Sequence, residues 1–368
     1  MTQTKRRLAV LFGGRSAEHE VSVNSARSVL EYVDRQRYEV TLIGIDKQGI
    51  WRVLDGFSNS IASGEMESDS APTVLVDHGN GQSLVVQHHD GRRERLPIDV
   101  VFPVLHGPHG EDGTVQGLLE LAGLPTVGSG VAGSAVAMDK ELAKRVFKAE
   151  GLAQLDYMVV RRQRWRERAD IVLIEIEGRL GLPVFAKPAR LGSSVGVSRA
   201  DDRESLRAAI DEAARYDNKI IVEAAALGCR EVECSVLGYE TPEASIPGEI
   251  VPCNDFYDYE AKYLAENSEL LIPAPLSEAA TAQIQALAVA AFRAVGANGL
   301  ARVDFFVCGD DESIFLNEIN TMPGFTPTSM YPKLWAASGL EYGALIDRLI
   351  ELALERHDEH QQNETSWE

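Results

Sequence analysis

Two segments near the C-terminal end constrain the fold most: Gly299-Leu-Ala-Arg302-Val-Asp304-Phe-Phe306 and Phe315-Leu-Asn-Glu318-Ile-Asn320-Thr-Met-Pro323-Gly324. Each alternates apolar and polar residues, the pattern of a β-strand. Successive side chains of a strand point to opposite faces, so Arg302 and Asp304 share a face of the first and Glu318 and Asn320 a face of the second. The turn-like stretch 307–314 predicts a hairpin, which gathers Asp304, Glu318 and Asn320 with an arginine beside them. Two carboxylates and an amide oxygen are hard donors suited to Mg²⁺, and such a site holds nucleotide phosphates. The competing reading is an ordinary hairpin with a solvated polar face. The Val, Phe and Leu residues flanking every polar position speak against it.

Upstream, the apolar run 8–12, a tight turn at 13–16, a helix over 21–33 and a strand over 39–45 form a βαβ opening. The fold class read from it is α/β, with a doubly wound N-terminal domain. Residues 61–95 are rich in Ser, Gly, Asp and His and read as excursions on that domain. A strand over 98–105 and a helix over 117–123 follow, with a boundary near 128–133. A lysine-bearing helix is expected over 138–150, strands over 182–187 and 219–223, and an amphipathic helix over 205–216. Further strands fall at 231–238 and 249–251, a Tyr-rich loop at 254–266, a helix at 281–295 and a closing helix at 340–355. The polar tail from 356 reads as frayed.

Chain length suggests two or three domains for the 368 residues. A net charge of −20 argues against nucleic acid or an anionic membrane as the main partner. An acidic protein that binds a polyphosphate must concentrate its cations locally and use metal. Cys229, Cys234, Cys253 and Cys308 include no CxxC pair, and read as reduced cytosolic residues rather than a disulfide framework. No stretch approaches the length of a membrane span or a signal h-region, so the expected location is cytoplasmic.

Three glycine-rich segments follow strands. Gly13-Gly14-Arg15-Ser16-Ala17-Glu18 lacks the GxGxxG spacing of a dinucleotide site. It places Glu18 at a helix N-terminus, ionised and suited to a substrate ammonium, or simply capping the helix. In His106-Gly-Pro-His-Gly-Glu-Asp-Gly113, Glu111 and Asp112 fit a helix start better than a metal site with the histidines. In Lys187-Pro-Ala-Arg-Leu-Gly192-Ser193-Ser194-Val-Gly196-Val197, a lysine at a strand end beside free backbone N–H groups is a phosphate-cradling chemistry. The lysine precedes the glycines, so this is no Walker A loop.

With these segments in hand, the chain resembles the D-alanine–D-alanine ligases of the ATP-grasp superfamily. The resemblance is carried by FGGRSAEHEVS, HGPHGEDGTVQG, MDK ending at Lys140, AKPARLGSSVGVS, FYDYEAKY at 256–263, ARVDFFV and NEINTMPG. It implies a three-domain ATP-grasp fold: an N-terminal substrate domain over 1–130, a central unit over 131–232, a C-terminal unit with the metal site over 233–356, and a tail over 357–368. It further implies an ATP-dependent joining of two D-alanines through an acyl phosphate, for peptidoglycan precursors, in a cytoplasmic homodimer.

On the same resemblance, Lys140, Lys187, Ser193, Ser194 and Lys262 would meet the phosphates, Glu223 the adenine hinge and Glu231 the ribose. Asp304, Glu318 and Asn320 would hold two Mg²⁺ or Mn²⁺ ions. Glu18 would bind the first substrate's ammonium, with His106 in the same pocket. Ser193 and Tyr263 would close the site with Glu18. Arg302 and the Gly324 amide would stabilise the oxyanion, and Ser329 would bind the second carboxylate. The hinge from Glu223 to Glu231 is one residue longer than usual. Alternatives are another ATP-grasp ligase, such as one making a D-alanine–D-lactate ester, or a silent nucleotide-binding regulator. A nicotinamide oxidoreductase is disfavoured by the missing fingerprint.

Overall fold

The apolar run at 8–12 is fully buried in the middle of β1 (Arg6–Gly13). β1 pairs in parallel with β2 (Tyr38–Ile45) and with β7 (Val100–Pro103), and α1 (His19–Tyr32) makes the crossover between β1 and β2. The computed structural model describes residues 4–54, 72–76, 83–251 and 269–364.

The expected excursions at 61–95 are corrected in their described part. β4 (Thr73–Val76), β5 (Ser83–Gln87) and β6 (Arg93–Pro97) join β3 (Trp51–Leu54) as antiparallel strands, giving the sheet order β6-β5-β4-β3-β2-β1-β7. Short β-branched stretches pair there despite their polar surroundings, because each neighbour supplies a ladder of backbone partners.

α2 (Thr114–Leu121), α3 (Val131–Met138) and α4 (Lys140–Ala149) lead into a second sheet. Its antiparallel order is β10 (Ser198–Ala200), β9 (Val184–Pro188), β11 (Lys219–Ala224) and β8 (Tyr157–Arg161). α6 (Arg203–Tyr216) buries Leu206, Ala209, Ile210 and Ala213, one helical face, and Asp202 caps it by accepting from Ser205 N–H. β8 and α5 (Arg162–Leu180) were not foreseen. The arginine-rich run between 161 and 168 hides the buried stripe of Trp165, Val172, Leu173 and Ile176.

The third sheet runs β15 (Glu269–Leu271), β14 (Gly248–Val251), β12 (Cys229–Gly238), β16 (Gly299–Cys308), β17 (Ser313–Asn320), with β13 (Glu243–Ala244) on β12. α7 (Glu278–Ala294) covers one face, burying Ile284, Ala288, Ala291 and Phe292 in one cluster with Val303 and Phe305. α8 (Met330–Ala337) and α9 (Tyr342–His360) follow. α9 lays Leu345, Ile346, Leu349 and Ile350 against Leu8, Val10, Phe12 and Phe102, so the first and third units share one core. The helix runs past the expected end at 355. Arg356 is buried there and donates to the Gly128 and Thr126 carbonyls, which holds the extra turn in place.

The cysteine expectation is also corrected. Cys229 and Cys308 form a disulfide across 79 residues, with Cα atoms 4.2 Å apart. Strand register brings them together: they are directly opposed on β12 and β16, a proximity that sequence spacing does not reveal. Cys234 is free and buried, and Cys253 lies outside the described residues. Among the described residues, no helix is long and apolar enough to cross a membrane.

Candidate active site

The expected hairpin is present. β16 and β17 pair with Asp304 opposite Glu318 and Arg302 opposite Asn320, with a bulge after Asp304. Asn320 Nδ2 donates to Asp304 Oδ2 at 3.1 Å. Arg302 forks onto Asp304, with Nε to Oδ1 and Nη2 to Oδ2 both at 2.7 Å. Burial works against the Arg302 charge, but Asp304 and Glu233 outweigh it and hold the guanidinium well above its ordinary range.

Of these side chains, Glu318 and Asn320 line a cleft of about 650 Å³ between the second and third sheets. Lys140, Lys187, Ser193, Ser194, Glu223, Glu231, Glu318 and Asn320 all border it. Lys140 Nζ donates to the Leu191 carbonyl at 2.8 Å and stands 3.5 Å from Glu318. Glu223 is buried between Lys187 and Lys144, with Lys144 Nζ at 2.6 Å. Burial alone would raise its carboxyl; the two ammonium groups instead draw it down to about 2. Two lysines are thus held by one buried carboxylate at the wall of the cleft.

On the other side, Glu18 sits at the start of α1, yet its side chain makes no capping bond. It accepts instead from the Ser193 hydroxyl. Gly107 faces it at a φ of +75°, and a Cβ there would fall 2.4 Å from Glu18 Oε2; only glycine lets the loop pass so close. Ser193 and Ser194 both adopt left-handed backbone, φ +51° and +56°. Glu111 is buried beside this group, accepting from the Gly107 N–H at 2.8 Å. Burial first, and Glu18 second, push its carboxyl up to about 8. Asp112 accepts from the His109 and Thr114 N–H groups at the start of α2. Among the described residues, no three His, Cys, Asp or Glu side chains cluster to hold a metal alone.

His106 is buried, and protein atoms engage both ring nitrogens: Nδ1 lies 3.0 Å from the Met322 carbonyl and Nε2 3.1 Å from Ser25 Oγ. Burial lowers its pKa, although Glu18 opposes this. The ring thereby props the loop after β17, which carries Gly324. Ser329 precedes α8; its hydroxyl accepts from the Thr326 N–H at 3.1 Å, and a Cβ on Gly324 would lie 3.0 Å from it. Lys262 and Tyr263 lie outside the described residues.

Two side chains that the sequence reading left unassigned stand in this group. Lys144 follows Lys140 by one helical turn, so both project from one face of α4. Glu233 follows Glu231 by two on β12, hence on the same strand face, and lies 3.0 Å from Arg302 Nε. Periodicity was the available signal for each.

A family model described as D-ala D-ala ligase N-terminus matches residues 7–129, and one described as D-ala D-ala ligase C-terminus matches 146–351. A D-alanine–D-alanine ligase of Ruminiclostridium cellulolyticum is 50% identical over 373 residues, covering 99% of both chains. The solved D-alanine-D-alanine ligase of Coxiella burnetii superposes with a TM-score of 0.86 at 38% identity, over 98% of this chain and 97% of that one. The VanG D-Ala:D-Ser ligase of Enterococcus faecalis gives 0.84 at 35% identity, over 95% and 100%.

Proposed function

We propose a residue-level mechanism from the premise that this chain belongs to the D-alanine–D-alanine ligase family. It is an ATP-dependent ligase that joins two D-alanines, releasing ADP and phosphate, in the synthesis of peptidoglycan precursors. The observation that supports the assignment best is the cleft itself. Lys140, Lys187, Glu231, Glu318 and Asn320 line it, and Asp304 and Arg302 stand directly opposite Glu318 and Asn320 on the neighbouring strand.

A carboxylate is a poor electrophile, so the first D-alanine must be activated. Its ammonium pairs with Glu18, and its carboxylate oxygen attacks the γ-phosphorus of ATP. Charge grows on the transferring phosphoryl group, where Lys140, Lys187 and Lys262 supply fixed positive charge. The second D-alanine, held through its carboxylate at Ser329, attacks the acyl phosphate with its amine. Arg302 and the Gly324 N–H receive the developing oxyanion, each donor worth roughly 3 kcal/mol. Water would hydrolyse the acyl phosphate, so the Ser193 loop closes over it.

The donor set fits Mg²⁺ or Mn²⁺: Asp304, Glu318 and Asn320 offer hard oxygens from paired strands and leave the remaining positions to phosphate and water. Two such ions would neutralise phosphate charge there. Glu231 takes the ribose, and Glu223 lies at the adenine hinge.

A cytoplasmic homodimer is part of the proposal. Leu121, 75% exposed, and Ile50, 41%, are apolar side chains of the N-terminal unit that a second copy could cover. Mass analysis of the product from D-alanine and ATP tests the activity. D-Alanyl-D-alanine with stoichiometric ADP supports it, whereas release only with D-lactate or D-serine as acceptor moves the chain to an ester- or serine-forming ligase.

A further inference from the structure

Glu233 has no part in the mechanism above, yet it lies in the same row of side chains. On three adjacent strands, Glu233, Asp304 and Glu318 occupy directly opposed positions of β12, β16 and β17. Arg302 fills the space between the first two. Its Nε is 2.7 Å from Asp304 Oδ1 and 3.0 Å from Glu233 Oε2. All three side chains are largely buried, Glu233 at 8% side-chain exposure, Asp304 at 13% and Arg302 at 17%.

This arrangement sets up a competition. Asp304 is needed by a cation, and Arg302 is needed by the oxyanion, yet here each holds the other through two hydrogen bonds. If Arg302 had Asp304 as its sole anchor, drawing Asp304 toward a cation would release the guanidinium, and an arginine freed from its anchor recovers considerable rotamer entropy. A second buried carboxylate on the far side removes that conflict. It holds the guanidinium when Asp304 turns to the metal, and it weakens the grip of Arg302 on Asp304 beforehand.

We infer that Glu233 is a positioning residue: it takes Arg302 from Asp304 as the divalent cation binds, and keeps the guanidinium aimed at the reacting carbonyl. The inference rests on the reading of Arg302 and Asp304 given above.

The test is a double-mutant cycle read by Mn²⁺ binding in the presence of ADP, followed by electron paramagnetic resonance, alongside kcat and KM. Glu233→Gln should weaken Mn²⁺ binding about tenfold and lower kcat about tenfold, leaving the KM for ATP within threefold, the scale of an outer-shell partner. In an Arg302→Ala background, Glu233→Gln should leave Mn²⁺ affinity unchanged, because the competitor is gone. Equal weakening in both backgrounds would show that Glu233 acts only as a through-space charge and would overturn the proposal. So would unchanged Mn²⁺ affinity in the single variant. Glu233→Asp, which keeps the charge on a shorter arm, should recover part of the Mn²⁺ affinity and of kcat; no recovery in a variant that melts like the wild type would also count against it. Failure of the parent assignment reads differently: Asp304→Asn would then bind Mn²⁺ like the wild type.

Discussion

The Ser193 hydroxyl donates to the Glu18 carboxylate across 175 residues, tying the glycine–serine loop of the central unit to the first turn of α1 in the N-terminal unit. On the proposed mechanism, loop closure and recognition of the ammonium would share one carboxylate. A hydrogen bond to a charged group contributes about 1.5–3 kcal/mol, and about 1.4 kcal/mol is tenfold in affinity. Ser193→Ala should therefore raise the KM for D-alanine about tenfold, measured by ADP release. The segment 192–196 should also be cut faster by protease in the variant, and ATP should protect it in the wild type. Equal cleavage with and without ATP would show that the loop is no lid.

Asp304 and Glu318 face each other at a bulge that only their own two strands share. Glu318→Gln removes a charge that a neutral amide does not replace at a cation. Loss of an outer partner of a metal ligand typically lowers activity 10–100-fold, so loss of the ligand itself should reduce turnover by at least about a hundredfold at saturating Mg²⁺. Far-UV circular dichroism should be unchanged. Activity within a few-fold of wild type would remove Glu318 from the metal assignment.

Much of this site was legible before any coordinates, because its chemistry sits on regular elements. The period-2 pattern around Arg302, Asp304, Glu318 and Asn320 gives both face and partner once a hairpin is inferred. Glu18, Lys187 and Ser193 stand at strand ends followed by glycine, where a ligand needs backbone access. What was not legible depends on register and on long-range charge. Cys229 meets Cys308 only because β12 and β16 align. Lys144 of α4 meets Glu223 of β11 only in the folded chain. The apolar stripe of α5 is interrupted by arginines, of which Arg164 turns outward to Glu175. The role of Tyr263 rests on the sequence alone.

His106 links two units through Ser25 and Met322. Removing the ring takes this partner from the buried Met322 carbonyl and leaves Ser25 Oγ with the Phe325 N–H; a buried group left unpaired costs about 1–3 kcal/mol. His106→Ala should lower unfolding stability by about 2 kcal/mol in urea, and should depress kcat by loosening the Gly324 loop. His106→Asn, which keeps a donor, should recover part of the stability. A variant with wild-type stability would show that the ring bears no such load.

Glu223 gives the protein a pH signature with a definite sign. Its carboxyl lies at about 2 in the folded state against 4.5 without neighbours, held down by Lys144 and Lys187 against the opposing effect of burial. A depressed acid stabilises the fold above its unfolded pKa and loses that contribution as pH falls through the folded one. The contribution is therefore complete above about pH 5 and fades between 4.5 and 2, with a magnitude on the order of 3 kcal/mol. Glu223→Gln should melt well below wild type at pH 7, where Lys144 and Lys187 then face each other with their shared carboxylate gone. The gap should close as the pH is lowered toward 2. ATP supplies the missing negative charge, so it should raise the melting temperature of the variant more than that of the wild type at pH 7. Thermal melts across pH, with and without nucleotide, measure both effects. A gap independent of pH would mean that Glu223 stabilises by packing, and equal nucleotide shifts would mean that its lysines never reach phosphate.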